Sequence, residues 1–129
     1  KETGLTPCVS FAEATEEGGY QMALSLLRQS PRPTAIFAGY DTLAIGVLRA
    51  VADLGWTAQE VSVVGYDDVH IARHPLVSLT SVDQFGEQIG LAAVELLMDR
   101  FRTGRLDSRH TRFKPELRIR NSSRAAQQS

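Results

Sequence analysis

The sequence predicts an α/β fold with a mainly parallel sheet flanked by helices, and three observations carry that expectation. Short apolar runs alternate with stretches of helical periodicity in the order β-α-β-α-β-β-α-β, the arrangement of strands joined by crossovers. Val61 to Val64 is a largely β-branched run, which suits a strand covered on both faces of a parallel sheet. Two strand candidates also end alike: Thr34 to Ala38 runs into Gly39-Tyr40-Asp41, and Val61 to Val64 into Gly65-Tyr66-Asp67-Asp68. Ligands of open α/β sheets bind beyond the carboxyl ends of the strands. Two such ends side by side would make an acid-lined rim with aromatic faces.

The elements follow in order. Cys8 to Phe11, after Pro7, reads as a short strand. A helix then starts at Thr15, whose hydroxyl can cap it, with Glu16 and Glu17 favourable in the first turn. Tyr20, Ala23, Leu24 and Leu27 form its buried stripe, and the Gly18-Gly19 pair points to close packing or approach to the crevice. Pro31 and Pro33 forbid its continuation. Asp41 is expected to cap the next helix, which is apolar around much of its circumference through Leu43, Ile45, Val47, Leu48, Val51 and Leu54. One face should meet the sheet and another a partner, and Gly55 ends the helix. Val69 to His74 reads as a single helical turn ended by Pro75, and Leu79 to Gln84 as a strand whose end approaches the crevice. Phe85 to Phe101 is the longest helix, with Ile89, Ala92, Ala93, Leu96 and Leu97 on its apolar face and Gly104 at its end. Thr111 to Ile119 is extended and interrupted by Pro115, hence an edge strand.

Composition bounds the function. The 129 residues are 43% hydrophobic with a formal net charge of −1, values that suit one domain with a core and announce no nucleic-acid or membrane surface. The locally basic stretch from Arg100 to Arg124 reads as solvated residues around the final strand. No apolar run approaches the roughly 20 residues of a membrane span, and Lys1-Glu2-Thr3-Gly4 lacks the apolar core of a signal peptide. Cys8 is the only cysteine, which rules out a disulfide framework, suits a reducing cytoplasm and reads as a buried structural thiol.

The polar constellations favour binding over catalysis. Neighbouring residues on an extended chain point opposite ways, so one of Asp67 and Asp68 should face the crevice. A magnesium-dependent enzyme would have to recruit Asp41 as a third carboxylate. His70 and His74 share a helix face but lack the intervening glutamate of a zinc motif. No phosphate-binding glycine pattern and no nucleophile elbow is present, and nothing asks for a cofactor or metal. Strand-end carboxylates that accept from hydroxyls or amines, with aromatic faces beside them, suit a small polar ligand such as a sugar or nucleoside.

Several of these segments, at matching spacing, resemble the lactose/galactose repressor family. They are Arg32 to Asp41, Leu43 to Arg49, Val61 to Asp68 and Leu79 to Val82, with Glu16 to Tyr20, Glu116-Leu117 and Arg120 to Ser122 in support. The resemblance implies the C-terminal part of an effector-binding domain of type I periplasmic-binding-protein-like fold, belonging to a bacterial transcriptional regulator. Residues 1–84 would be the C-terminal lobe, 85–105 a helix packed on the N-terminal lobe, 106–120 a return strand and 121–129 a mobile tail. With most of that other lobe lying outside these 129 residues, the helix would pair with another chain or fold back on its own lobe. The implied effector residues are Asp67, Asp41 and Gln84, with Tyr40 and Tyr66 as flanking rings. Tyr40 stands where the family often has asparagine, and Ala14 where a stacking aromatic is common. The implied homodimer face comprises Ile45, Val47 and Leu48 with the His74-Pro75-Leu76 turn, and operator DNA would be met only through a separate headpiece. A sugar-binding protein of a transporter shares the fold and is the alternative reading.

Overall fold

The computed structural model describes residues 8–125. Helix α1 (Glu16–Leu27) is followed by strand β1 (Ala35–Phe37), helix α2 (Asp41–Asp53) and strand β2 (Ser62–Tyr66). A one-turn 3-10 helix (His70–Arg73) leads to strand β3 (Thr80–Asp83), helix α3 (Gly86–Thr103) and strand β4 (Glu116–Arg118). The sheet order is β1-β2-β3-β4, parallel throughout except for the antiparallel β4. This is the mixed α/β sheet the sequence predicts. No helix among the described residues is long and apolar enough to cross a membrane.

Helix α2 packs on the sheet against β2, and α1 packs on α2. Thr15 caps α1 by accepting from the Gly18 amide at 3.0 Å. The two helices cross where a Cβ on Gly46 would lie 1.9 Å from the Glu16 carbonyl oxygen, and one on Gly19 2.3 Å from that of Leu43. Only glycine permits so close an approach of two backbones, which is the close packing expected of the Gly18-Gly19 pair. Beneath them Ala44, Val47, Ala50, Val51, Val61, Val63 and Leu79 form the core.

Several expectations need correction. Cys8 to Phe11 forms no strand, and Cys8 is exposed, with its thiol 3.9 Å from Gln29 Oε1. The central strand is not covered on both faces: Val63 and Gly65 are buried, while Ser62, Val64 and Tyr66 alternate with them at half-burial. Phe37, opposite Val64 in the register, is 64% exposed. The apolar run therefore records a face that other elements would have to cover. Tyr40 occupies the α2 cap position and Asp41 its first turn, the reverse of the sequence assignment. Helix α3 does not fold back: none of its residues is buried, and Ile89, Leu97 and Phe101 are exposed.

The polar stretch after β4 is fastened down as far as Arg124, so a mobile tail does not begin at Asn121; residues 126–129 lie outside the described range. Ser122 bridges β2 and β3 where they splay. Its carbonyl accepts from the Val63 amide at 2.7 Å, and its hydroxyl donates to the Val63 carbonyl at 2.6 Å while accepting from the Thr80 amide at 2.8 Å. Arginines of the basic segment are also less solvated than expected, because Arg105 and Arg120 have side chains only 15% and 19% exposed, turned onto Asp99 and Asp68.

Candidate functional site at the strand ends

Beyond the carboxyl end of β2 the chain leaves the sheet through two residues of positive φ, Asp67 at 113° and Asp68 at 50°. L-residues avoid this region, so the neighbouring contacts must hold the bend. The Asp67 amide still donates to the Val82 carbonyl at 3.0 Å, which keeps the turn registered on β3. The two carboxylates then diverge. Asp68 turns inward, with a side chain 2% exposed; Oδ2 lies 3.1 Å from Arg73 Nη2. Its Oδ1 lies 2.7 Å from Arg120 Nη1 as an ion pair without hydrogen-bond alignment. Asp67 stays half-buried, and its Oδ1 accepts from Gln84 Nε2 at 2.7 Å. One aspartate of the pair thus remains available at the rim. The divergence comes from the left-handed bend, whereas simple strand alternation had been the expected cause.

Asp41 sits below the rim, fully buried. Its Oδ1 accepts from Ser81 Oγ at 2.6 Å and its Oδ2 from the Val69 amide at 2.9 Å, so it ties α2 to β3 and to the turn after β2. Gly65 makes room for it, since a Cβ there would lie 2.2 Å from Asp41 Oδ1. Burial, and then the negative charge of Asp41, push the Asp67 carboxyl above its ordinary value. Asp41, Asp67 and Asp68 do not converge on a common point, and no group of three or more possible metal ligands occurs among the described residues.

A cavity of about 300 Å³ opens beside Asp67, lined also by Arg73, Asp83, Phe85, Glu87 and Arg118. Gln84 meets this group through Asp67. Tyr40, 53% exposed, and half-buried Tyr66 stand at the ends of adjacent parallel strands, but neither lines the cavity. A larger groove of about 930 Å³ runs beside β1, the outermost strand among the described residues, and is lined by Met22, Leu26, Leu43 and Val47. Among the described residues its lining carries no charged side chain, unlike that of the strand-end cavity.

Sequence reasoning missed Ser81, Asp83, Arg73, Arg118 and Arg120. Asp83 Oδ2 accepts from Arg118 Nη2 at 3.0 Å and Nε at 3.3 Å, and its Oδ1 accepts from the Phe85 amide at 2.8 Å. That amide first, then Arg118, holds the Asp83 carboxyl below the usual range, and Asp83 in turn raises Arg118. The alternation of β3 could have flagged Asp83, but its pairing partner lies 35 residues away. Of the predicted contact face, Ile45 and Leu48 are half-buried, His74, Pro75 and Leu76 are exposed, and Leu76 reaches 91%. Val47 is 4% exposed and belongs to the core, so it offers no surface.

Residues 2–123 match the family described as a periplasmic binding protein-like domain. The HTH-type transcriptional repressor PurR of Edwardsiella ictaluri is 35% identical over 126 residues, covering 95% of this chain and 37% of the relative. Among solved structures, the transcriptional regulator CelR in complex with cellobiose superposes with a TM-score of 0.83 at 30% identity, over 93% of this chain and 38% of that one. A LacI family transcriptional regulator from Enterococcus faecium with bound ribose gives 0.79 at 26% identity, over 87% and 41%. This chain spans about a third of the length of the curated relatives it matches. With its sheet order, strand-end aspartate and return strand, the chain belongs to the periplasmic binding protein-like domain family, in the form it shares with regulators of the lactose/galactose repressor type.

Proposed function

We propose that this chain is the effector-sensing and dimerising part of a bacterial transcriptional repressor that binds a small polar ligand of the sugar or nucleoside class. The observation that carries the reading is Asp67: an ionisable carboxylate at a strand end, half-buried beside a polar cavity, with one oxygen positioned by Gln84. Carboxylates of this kind accept from paired hydroxyls or ring amines. Tyr40 and Tyr66, outside the cavity at the neighbouring strand ends, would offer aromatic faces to a ligand that extends past it, with Gln84 a second polar contact and Asp41 the buried support. The relatives support this class of ligand, one bearing cellobiose and another ribose. Operator DNA is met through a headpiece outside this chain, and α3, with no buried residue, packs on the second lobe of the effector domain. Ile45, Leu48 and the His74-Pro75-Leu76 turn form the homodimer face. The site binds and does not catalyse, and the regulator works in the cytoplasm.

The test is calorimetric titration of the full-length protein with D-ribose, cellobiose and adenosine. The ligand that binds should lose about 1.5–3 kcal/mol in an Asp67→Ala variant, the range for hydrogen bonds to charged groups. Unchanged affinity in a folded variant rejects the assignment.

A further inference from the structure

The segment that carries the chain out of the sheet into α3 is held by few contacts, and all of them involve consecutive residues. Asp83 and Gln84 reach in different directions. Asp83 binds Arg118 of the return strand β4, while Gln84 donates to Asp67 at 2.7 Å. Phe85, next in line, adopts a left-handed conformation (φ 60°, ψ 46°) with the Arg118 guanidinium 5.7 Å from its ring. Within this lobe no residue of α3 is buried, so the lobe itself holds the crossover through the residues that precede the helix. A non-glycine residue in the left-handed region persists only where its surroundings over-determine it. Here those surroundings are the Asp83 carboxylate, which accepts from the Phe85 amide at 2.8 Å and pairs with Arg118, on one side and the Asp67–Gln84 bond on the other.

We propose that Gln84 is a positioning residue that ties the Asp67 carboxylate to the β3–α3 crossover, so that any partner engaging Asp67 Oδ1 changes how firmly the crossover is held. This rests on Asp67 as the ligand carboxylate and adds the route by which occupancy leaves the site. The bond joins two segments 17 residues apart, one at the end of β2 and one at the exit toward α3. A hydroxyl or amine arriving at Oδ1 must share it with the Gln84 amide or displace that amide. Either event is felt one residue before Phe85. Gln84 thereby converts a binding event into a change at the crossover without any movement of the sheet.

The experiment is amide hydrogen exchange of the full chain without ligand, comparing the hydrogen-bonded amides of Phe85 and of Ile89 to Leu91 with the β2 core amides of Val63 to Gly65. Gln84→Leu, which removes the donor, and Asp67→Ala, which removes the acceptor, should each speed exchange at Phe85 and at Ile89 to Leu91 at least about 5-fold and leave β2 unchanged. The double variant should add nothing further, since both changes delete one bond. Gln84→Lys, which restores a donor to the carboxylate, should return exchange to the parent rate. Additive effects, no change in either single variant, or failure of lysine to rescue would each overturn the tie. If β2 exchange also rises in one variant, the lysine replacement and the other single variant decide the matter. Because no ligand is present, a negative result here leaves Asp67 as ligand acceptor, and a negative titration leaves this bond intact.

Discussion

At Asp67 the chain combines a backbone bend that costs roughly 1–3 kcal/mol for a non-glycine residue with a carboxyl whose ionisation is opposed by burial and by Asp41. Both are stability sacrificed to present a charge at the rim. A raised native pKa means that the favourable contribution is full below the unfolded value, about 3.9, and is lost as pH rises through the native value. Asp83 has the opposite sign: its depressed carboxyl stabilises above that unfolded value and loses the contribution as pH falls through the native one. Asp67→Asn should therefore be more stable than the parent at pH 7, by a margin that shrinks as the pH approaches 4. Asp83→Asn should be less stable at pH 7 and converge on the parent only in stronger acid. Urea unfolding of both variants at several pH values checks the pair, and margins of the same sign would refute this account.

Among the elements, the α1–α2 crossing is the tightest. Backbones this close cannot be spread without lifting α1 from the core, so Gly46→Ala should destabilise by about 1–3 kcal/mol, the usual range for overpacking. The lowered urea midpoint should come with an unchanged slope. Gly19, the Thr15 cap and the turn at Pro75 could be read in advance because each is a local rule: a missing Cβ, a hydroxyl three residues from an amide, a ring that blocks helix, whereas Gly46 gave no such signal. The mainly parallel sheet and the two neighbouring tyrosine-aspartate ends could be read from apolar runs that meet a glycine. What stayed hidden was non-local. Nothing around Asp41 signals that it would be buried and tied to Ser81, 40 residues away, and Arg118 and Arg120 looked like solvated charge until β4 placed them beside Asp83 and Asp68. The Cys8 segment had strand composition but no paired neighbour among the described residues, and composition alone does not make a ladder.

For the whole molecule, the uncovered surfaces matter most. Leu76 at 91% exposure, with half-buried Ile45 and Leu48, forms the face assigned to the dimer, and a patch of this kind left in water favours association. Ile45→Glu in the full-length protein should sediment as a monomer; an unchanged dimer would retire this face. The Ser122 bridge bears on a different matter, the order in which the lobe can be made. Its hydroxyl reaches Val63, 59 residues earlier, and Thr80, 42 residues earlier, with the whole of α3 between. A ribosome releases β1, β2, β3 and their helices well before it releases Asn121 and Ser122. Until then the amides of Val63 and Thr80 lack their Ser122 acceptors, because the contact that satisfies them is non-local. The nascent lobe must wait, nearly complete, for one serine.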